Sequence, residues 1–320
     1  MKNPELIPPY TGPMEDFPSS KELPDGVKTV AWKDDPACFI DFRFDVEYDN
    51  RDGEILNLQI LMPSDEMMMP SVDMMEMPPK EKRPLIVYIP GSAWHRQMVY
   101  ITLPRMIRIA ERGWAVAIVQ YRPSEVTGFP AQIEDAKSAV RFMRKNADEY
   151  CIDPEKIVLW GDSSGGHTAV MAAITGDGLL DNGLYSEFSS QVNCVVDWFG
   201  PTNVARMGYY PSIMDHGGAD SPEGFLLGGV DVFENLDLAE KASPMYYLDK
   251  GNTAPPIIIM HGSSDEVVPF NQSCLLYDKL RELGMEVEMY KLEGASHGRN
   301  GFNCTEAYDT VLEFVSRHIL

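Results

Sequence analysis

The sequence predicts an α/β domain in which a mostly parallel central sheet is covered by helices on both faces. Three observations predict it. From residue 84 onward, short apolar runs alternate with helical periods over roughly 230 residues, which is the pattern of repeated strand–helix units. The runs at 85–89, 114–120, 157–160, 192–198, 256–260 and 286–292 are mostly continuous in apolar residues rather than alternating. Parallel strands buried on both faces need that continuity. One of these runs also leads straight into a glycine-flanked turn and a small-residue helix.

In chain order, residues 1–39 hold seven prolines up to Pro36 and little periodicity, so an extended N-terminal arm is expected there. The domain proper is placed at 40–320. Residues 40–47 and 54–62 alternate like two strands around the Asn50–Gly53 turn, with Ile40, Phe42, Phe44 and Val46 expected on one face. Residues 62–84 form a Met/Pro-rich loop insert. Seven of the 19 methionines fall between Met62 and Met77, among Pro63, Pro70, Pro78 and Pro79. Thioethers can bind a soft metal, but no His or Cys supports that, and a loop laying Met side chains on apolar surface is the preferred reading. Ala136, Val140, Met143 and Ala147 mark one helix. Leu276, Leu280 and Leu283, closed by Gly284, mark another, and Ala307, Val311, Phe314 and His318 a final one. Residues 200–255 leave room for a small cap. There is no internal repeat, so one domain is expected.

The chain has 320 residues, 44% hydrophobic and 24% charged, with 27 Lys and Arg against 49 Asp and Glu, a net charge of −22. Such acidity disfavours nucleic acid and anionic membrane as partners. No run approaches the roughly 18 apolar residues of a membrane span. The N-terminal Met-Lys-Asn-Pro-Glu lacks an apolar secretory core, and Cys38, Cys151, Cys194, Cys274 and Cys304 are odd in number and scattered. A cytoplasmic protein with reduced thiols is expected, with a homo-oligomer left open.

The chemistry starts at Gly161-Asp162-Ser163-Ser164-Gly165, a G-x-S-x-G between the run at 157–160 and a helix through Ala169, Ala172 and Ala173. This context fits a nucleophile elbow, with Ser163 exposed in a strained turn and Gly161 and Gly165 required because side chains there would collide. A chance glycine turn is the competing reading. A hydroxyl nucleophile needs a base, and the base needs an orienting acid. Asp265 follows the run at 256–260, and His297 lies in a glycine-flanked loop after the run ending at Leu292. The order Ser163, Asp265, His297 is that of the α/β-hydrolase fold. Asp197 is the rival acid. His261 is read as a buried loop anchor, and for His95, His167, His216 and His318 the structural reading leads. The oxyanion donors are expected from the backbone N–H groups of Ser92 or Ala93, together with that of Ser164. Trp94, directly after that loop, and Trp198, at a strand end, are expected to contact substrate.

With these residues in hand, Pro90–Trp94, Gly161–His167, 261–269 and Ser296-His297 resemble the α/β-hydrolase esterases of the acetyl-xylan/feruloyl esterase (BD-FAE-like) group, over about residues 40–320. Kynurenine formamidases and hormone-sensitive-lipase-like esterases are cousins. The group usually has His-Gly-Gly-x-Trp where this chain has Pro90-Gly91-Ser92-Ala93-Trp94, which removes a loop-supporting His and a flexible Gly. The resemblance implies a cofactor-free and metal-free serine carboxylesterase for short acyl esters, with acetyl or feruloyl groups on xylan-derived oligosaccharides as the implied substrates. An amidase, formamidase or small-peptide hydrolase would use the same triad. A non-catalytic ligand-binding protein on this fold is the reading from a different class.

Overall fold

A computed structural model of the chain describes residues 10–20, 24–26, 28–29, 39–64 and 81–319. The chain divides into two compact units, Met1–Pro36 and Ala37–Leu320. In the first, Tyr10 donates to the Pro13 carbonyl and packs edge-on against Phe17.

The second unit is built on eight strands: β1 Phe39–Arg51, β2 Glu54–Ser64, β3 Arg83–Ile89, β4 Ala115–Val119, β5 Ile152–Asp162, β6 Cys194–Trp198, β7 Ile257–Gly262 and β8 Val287–Leu292. They form one sheet in the order β1-β2-β4-β3-β5-β6-β7-β8. Only the β1–β2 and β2–β4 pairings are antiparallel; from β4 to β8 every pairing is parallel. Within the buried strands, alternate residues serve opposite cores. Leu85, Val87 and Ile89 pack on one side with helices α2 (Ala131–Lys145), α3 (Ser164–Thr175) and α7 (Asn271–Glu282). Ile86 and Tyr88 pack on the other side with α1 (Leu103–Ala110) and α8 (Thr305–His318). Both faces are therefore apolar along one strand, which explains the continuous runs. Between β6 and β7, a 3₁₀ turn at Val204–Tyr209 and the short helices α4 (Pro222–Leu226), α5 (Leu236–Lys241) and α6 (Pro244–Asp249) form the cap. Val204, Leu226, Leu227, Val232, Ala239 and Ala242 give it a core of its own.

One expectation about β1 fails. Ile40 and Phe42 pack with one core and Val46 with the other, while Phe44 is exposed. The register shifts between Arg43 and Val46, where Asp45 takes a φ of 50°. A bulge of this kind adds a residue and reverses the alternation. Of the loop insert expected at 62–84, residues 62–64 belong to β2 and Arg83 and Pro84 to β3, and residues 65–80 lie outside the described residues. The insert's flanks, the end of β2 and the start of β3, sit at the amino edge of the parallel strands, since Leu61 pairs with Val116 near the start of β4. Cys151, Cys194, Cys274 and Cys304 are free thiols, and Cys38 lies outside the described residues. Among the described residues no helix is long and apolar enough to cross a membrane, and no cluster of His, Cys, Asp or Glu is placed to hold a metal ion.

Candidate active site

Ser163 links β5 to α3 at the carboxyl edge of the sheet, with φ 53° and ψ −128°. For a non-glycine residue this is a strained backbone, held by its surroundings. Its N–H donates to the Trp198 carbonyl at 2.8 Å. The turn closes because its glycines have no side chains. A Cβ on Gly161 would lie 2.1 Å from the Gly165 carbonyl oxygen, and one on Gly165 would lie 1.9 Å from that of Ile89.

Two further loops converge on Ser163. His297 Nε2 lies 3.0 Å from Ser163 Oγ, and its Nδ1 lies 2.8 and 3.0 Å from the two carboxylate oxygens of Asp265. An Nδ1–H donating to the carboxylate leaves the Nε2 lone pair free to accept the serine proton. Phe199 packs edge-on against the His297 ring at 4.7 Å, and the backbone N–H of His297 donates to Glu266 at 3.3 Å. The Asp265 side chain is fully buried. Burial alone would raise its pKa, but hydrogen bonds from His261 and His297 outweigh that and hold it well below the ordinary carboxylate range. Val267 and Val268 also donate their N–H groups to it at 2.9 Å each.

His261 is the buried anchor expected of it. Its Nε2 reaches the Val268 carbonyl at 3.0 Å and Asp265 at 3.2 Å, while its Nδ1 lies 2.7 Å from Ser273 Oγ. Its place beside the acid was not readable, because the motif shows two residues four apart and not the loop that folds them together. Asp197 is not bonded to His297. It sits buried on β6 and accepts from Gly200 N–H at 3.0 Å. Burial pushes its carboxyl up to about 7. His167, buried against Trp94, is pushed down to about 4 by burial.

Three expected site residues need correction, Ser92 and Trp94 in the loop after β3 and Trp198 at the end of β6. The N–H of Ser92 donates to Ser164 Oγ at 2.9 Å, so it is occupied, and Ala93 and Ser164 are left as the expected amides. Ala93 and Trp94 both have positive φ, 55° and 59°. The loop is braced without the family's His. Asp162 accepts from Gly91 N–H at 2.9 Å and from Tyr88 Oη at 2.7 Å, Ser92 Oγ donates to the His95 carbonyl, and Tyr121 Oη donates to that of Pro90. Trp94 is 1% exposed and donates from Nε1 to His167 within the cap core, so it props the loop and does not present a face to solvent. Trp198 is fully buried among Trp160, Phe302 and Tyr308, with the Arg105 guanidinium over its ring. Neither tryptophan is available as a substrate contact. In a strand whose both faces are buried, an indole at the end is core by default.

The sequence profile of the BD-FAE family matches residues 73–280. Esterase LipQ of Mycobacterium tuberculosis is 29% identical over 234 residues, which cover 69% of this chain and 52% of LipQ. The chain thus spans about half the length of the curated relatives it matches. A solved structure described as a truncated form of a carbohydrate esterase from gut microbiota superposes with a TM-score of 0.70 at 30% identity, covering 87% of this chain and 96% of that one. A bifunctional GH43-CE of Bacteroides eggerthii superposes equally, with a TM-score of 0.70 at 31% identity, over 89% of this chain and 38% of its own.

Proposed function

The chain belongs to the BD-FAE family of α/β-hydrolases, and from that premise we propose that it is a serine carboxylesterase that removes short acyl groups from carbohydrate esters. The observation that carries the chemistry is the hydrogen-bonded line from Ser163 Oγ through His297 to Asp265. Ser163 Oγ attacks the ester carbonyl as its proton passes to His297 Nε2. The carbonyl electrons move onto oxygen, and the oxyanion is held by the N–H groups of Ala93 and Ser164, each contributing about 2.7–4 kcal/mol of barrier lowering. Asp265 fixes the tautomer and stabilises the imidazolium. Collapse breaks the ester C–O bond, His297 returns the proton to the departing alcohol, and water activated by His297 then releases the acid from the acyl-enzyme.

The carbohydrate substrate is supported by the two solved neighbours, one described as a carbohydrate esterase and one as a GH43-CE. The short acyl group is supported by the cap residues Val204, Leu226 and Leu227, which pack directly against Trp94 and crowd the oxyanion loop. The cap helices are five to six residues long, too short for a mobile lipase lid. A panel of p-nitrophenyl esters and acetylated or feruloylated xylo-oligosaccharides tests this. Acetyl to butyryl esters should exceed octanoyl by at least about tenfold in kcat/KM, and acetylated oligosaccharides should release acetate. Fastest turnover on long-chain emulsions, or on amides, defeats the reading.

A further inference from the structure

The cap is fastened to the acid loop at one place. Ile213 N–H donates to the Glu266 carbonyl at 2.9 Å, and Ser212 Oγ donates to the Val267 carbonyl at 2.8 Å. His216 Nε2 lies 3.1 Å from that same Val267 carbonyl, and its Nδ1 lies 3.0 Å from Glu223 Oε2. Val267 is also the residue whose N–H donates to Asp265. One residue therefore stands between the cap histidine and the carboxylate that orients His297. The side chains of His216 and Glu223 are 3% and 2% exposed, so solvent does not screen them.

His216 Nδ1 faces the Glu223 carboxylate, and Nε2 faces both the Val267 carbonyl and, at 3.0 Å, Ser212 Oγ. A neutral imidazole has a single N–H; with it on Nδ1, the Nε2 lone pair opposes the Val267 carbonyl unless the Ser212 hydroxyl leaves that carbonyl to donate to the ring. The imidazolium donates to the carboxylate and the carbonyl at once. We infer that the buried His216–Glu223 pair is a positioning element of the active site, a charged strut that holds the cap onto the loop carrying Asp265. This rests on the triad reading above.

Burial would lower the pKa of His216, but the hydrogen bond and charge of Glu223, the Val267 carbonyl and the charge of Asp215 outweigh it, and the pKa is raised. The charged groups around the ring are Glu223 and Asp215 from the cap and, on the acid loop, Asp265 and Glu266 in the two residues before Val267. All four are anionic and favour the charged ring. A group with a raised pKa contributes below its unfolded pKa and loses its contribution as pH climbs through the folded value. Above that point the remaining N–H stays with the carboxylate of Glu223, Nε2 turns from donor to acceptor, and the Ser212 hydroxyl is drawn off the Val267 carbonyl to donate to it. Turnover should thus fall at high pH as His216 loses its proton.

Ester kinetics with the full chain test this. His216→Ala should lower kcat at least about tenfold with KM within about threefold. In an Asp265→Asn background the same change should cause no further loss, because the acid it positions is already gone. Glu223→Gln makes a neutral pair in which the amide donates to Nδ1 and Nε2–H still reaches Val267, so the descending limb of its kcat–pH profile should disappear. A folded His216→Ala variant with wild-type kcat, or one whose loss is as large in the Asp265→Asn background, overturns the strut. If His216→Ala does not fold, a Glu223→Gln profile identical to wild type overturns it. A wild-type protein that turns over no ester refutes the esterase reading instead.

Discussion

Asp265 and Asp197 are both buried aspartates near the carboxyl ends of neighbouring strands, and their surroundings push their carboxyls in opposite directions. Asp265, past the end of β7, receives two imidazole nitrogens and two backbone N–H groups, and is held as a carboxylate. Asp197, within β6, is matched by one N–H from Gly200, and burial raises it to about 7. Would-be Cβ atoms on Gly166 and Gly200 fall 2.4 and 2.5 Å from Asp197 Oδ1, so nothing larger can approach to offer more. The number of donors aimed at a carboxylate, and not its depth, decides whether it can serve as the acid of a triad.

Substitutions at the two sites should therefore diverge. Asp265→Asn removes the charge that stabilises the imidazolium and favours the wrong tautomer of His297, so kcat should fall by about four orders of magnitude in a p-nitrophenyl acetate assay. A loss under about tenfold would move the acid elsewhere. His261→Gln takes away one of the donors to Asp265 without touching His297, and about a tenfold fall in kcat is expected, one step of 1.4 kcal/mol in the barrier. Asp197→Asn should leave kcat within about threefold.

Its effect should appear in stability. In the window between about 4, the unfolded value, and about 7, the folded carboxyl keeps its proton while the unfolded one has lost it, so stability falls as pH rises. Asparagine cannot ionise. The variant should then gain about 1 kcal/mol or more at pH 8, roughly 2–4 °C in Tm, and little at pH 4 to 5. An equal gain at both pH values would mean that Asp197 is not protonated in the folded state.

The same contrast explains what the sequence revealed. The six later strands were visible as short apolar runs and β1 and β2 by their alternation around the Asn50–Gly53 turn, and the elbow because Gly161 and Gly165 have no alternative at those distances. Ser163, Asp265 and His297 followed from their positions at strand ends. The cap helices were not visible, since five or six residues do not complete two turns of an amphipathic period. Nor was α1, of eight residues. The bulge at Asp45 depends on a backbone torsion that the alternation of Phe42, Phe44 and Val46 hides. Ser92, Trp94 and Trp198 misled for one reason. Residue type and sequence position show which groups lie near the site, while hydrogen bonds and packing decide which of them are already used.

The proposed chemistry requires Ser163 to be an activated nucleophile. Labelling with a fluorophosphonate probe, followed by intact-mass and peptide mass spectrometry, tests it most directly. One adduct should form on Ser163, in step with the loss of ester turnover, and Ser163→Ala should take up none while keeping the wild-type circular dichroism. Labelling of the alanine variant at the wild-type rate, or an adduct on another residue with turnover lost alongside it, would contradict the assignment.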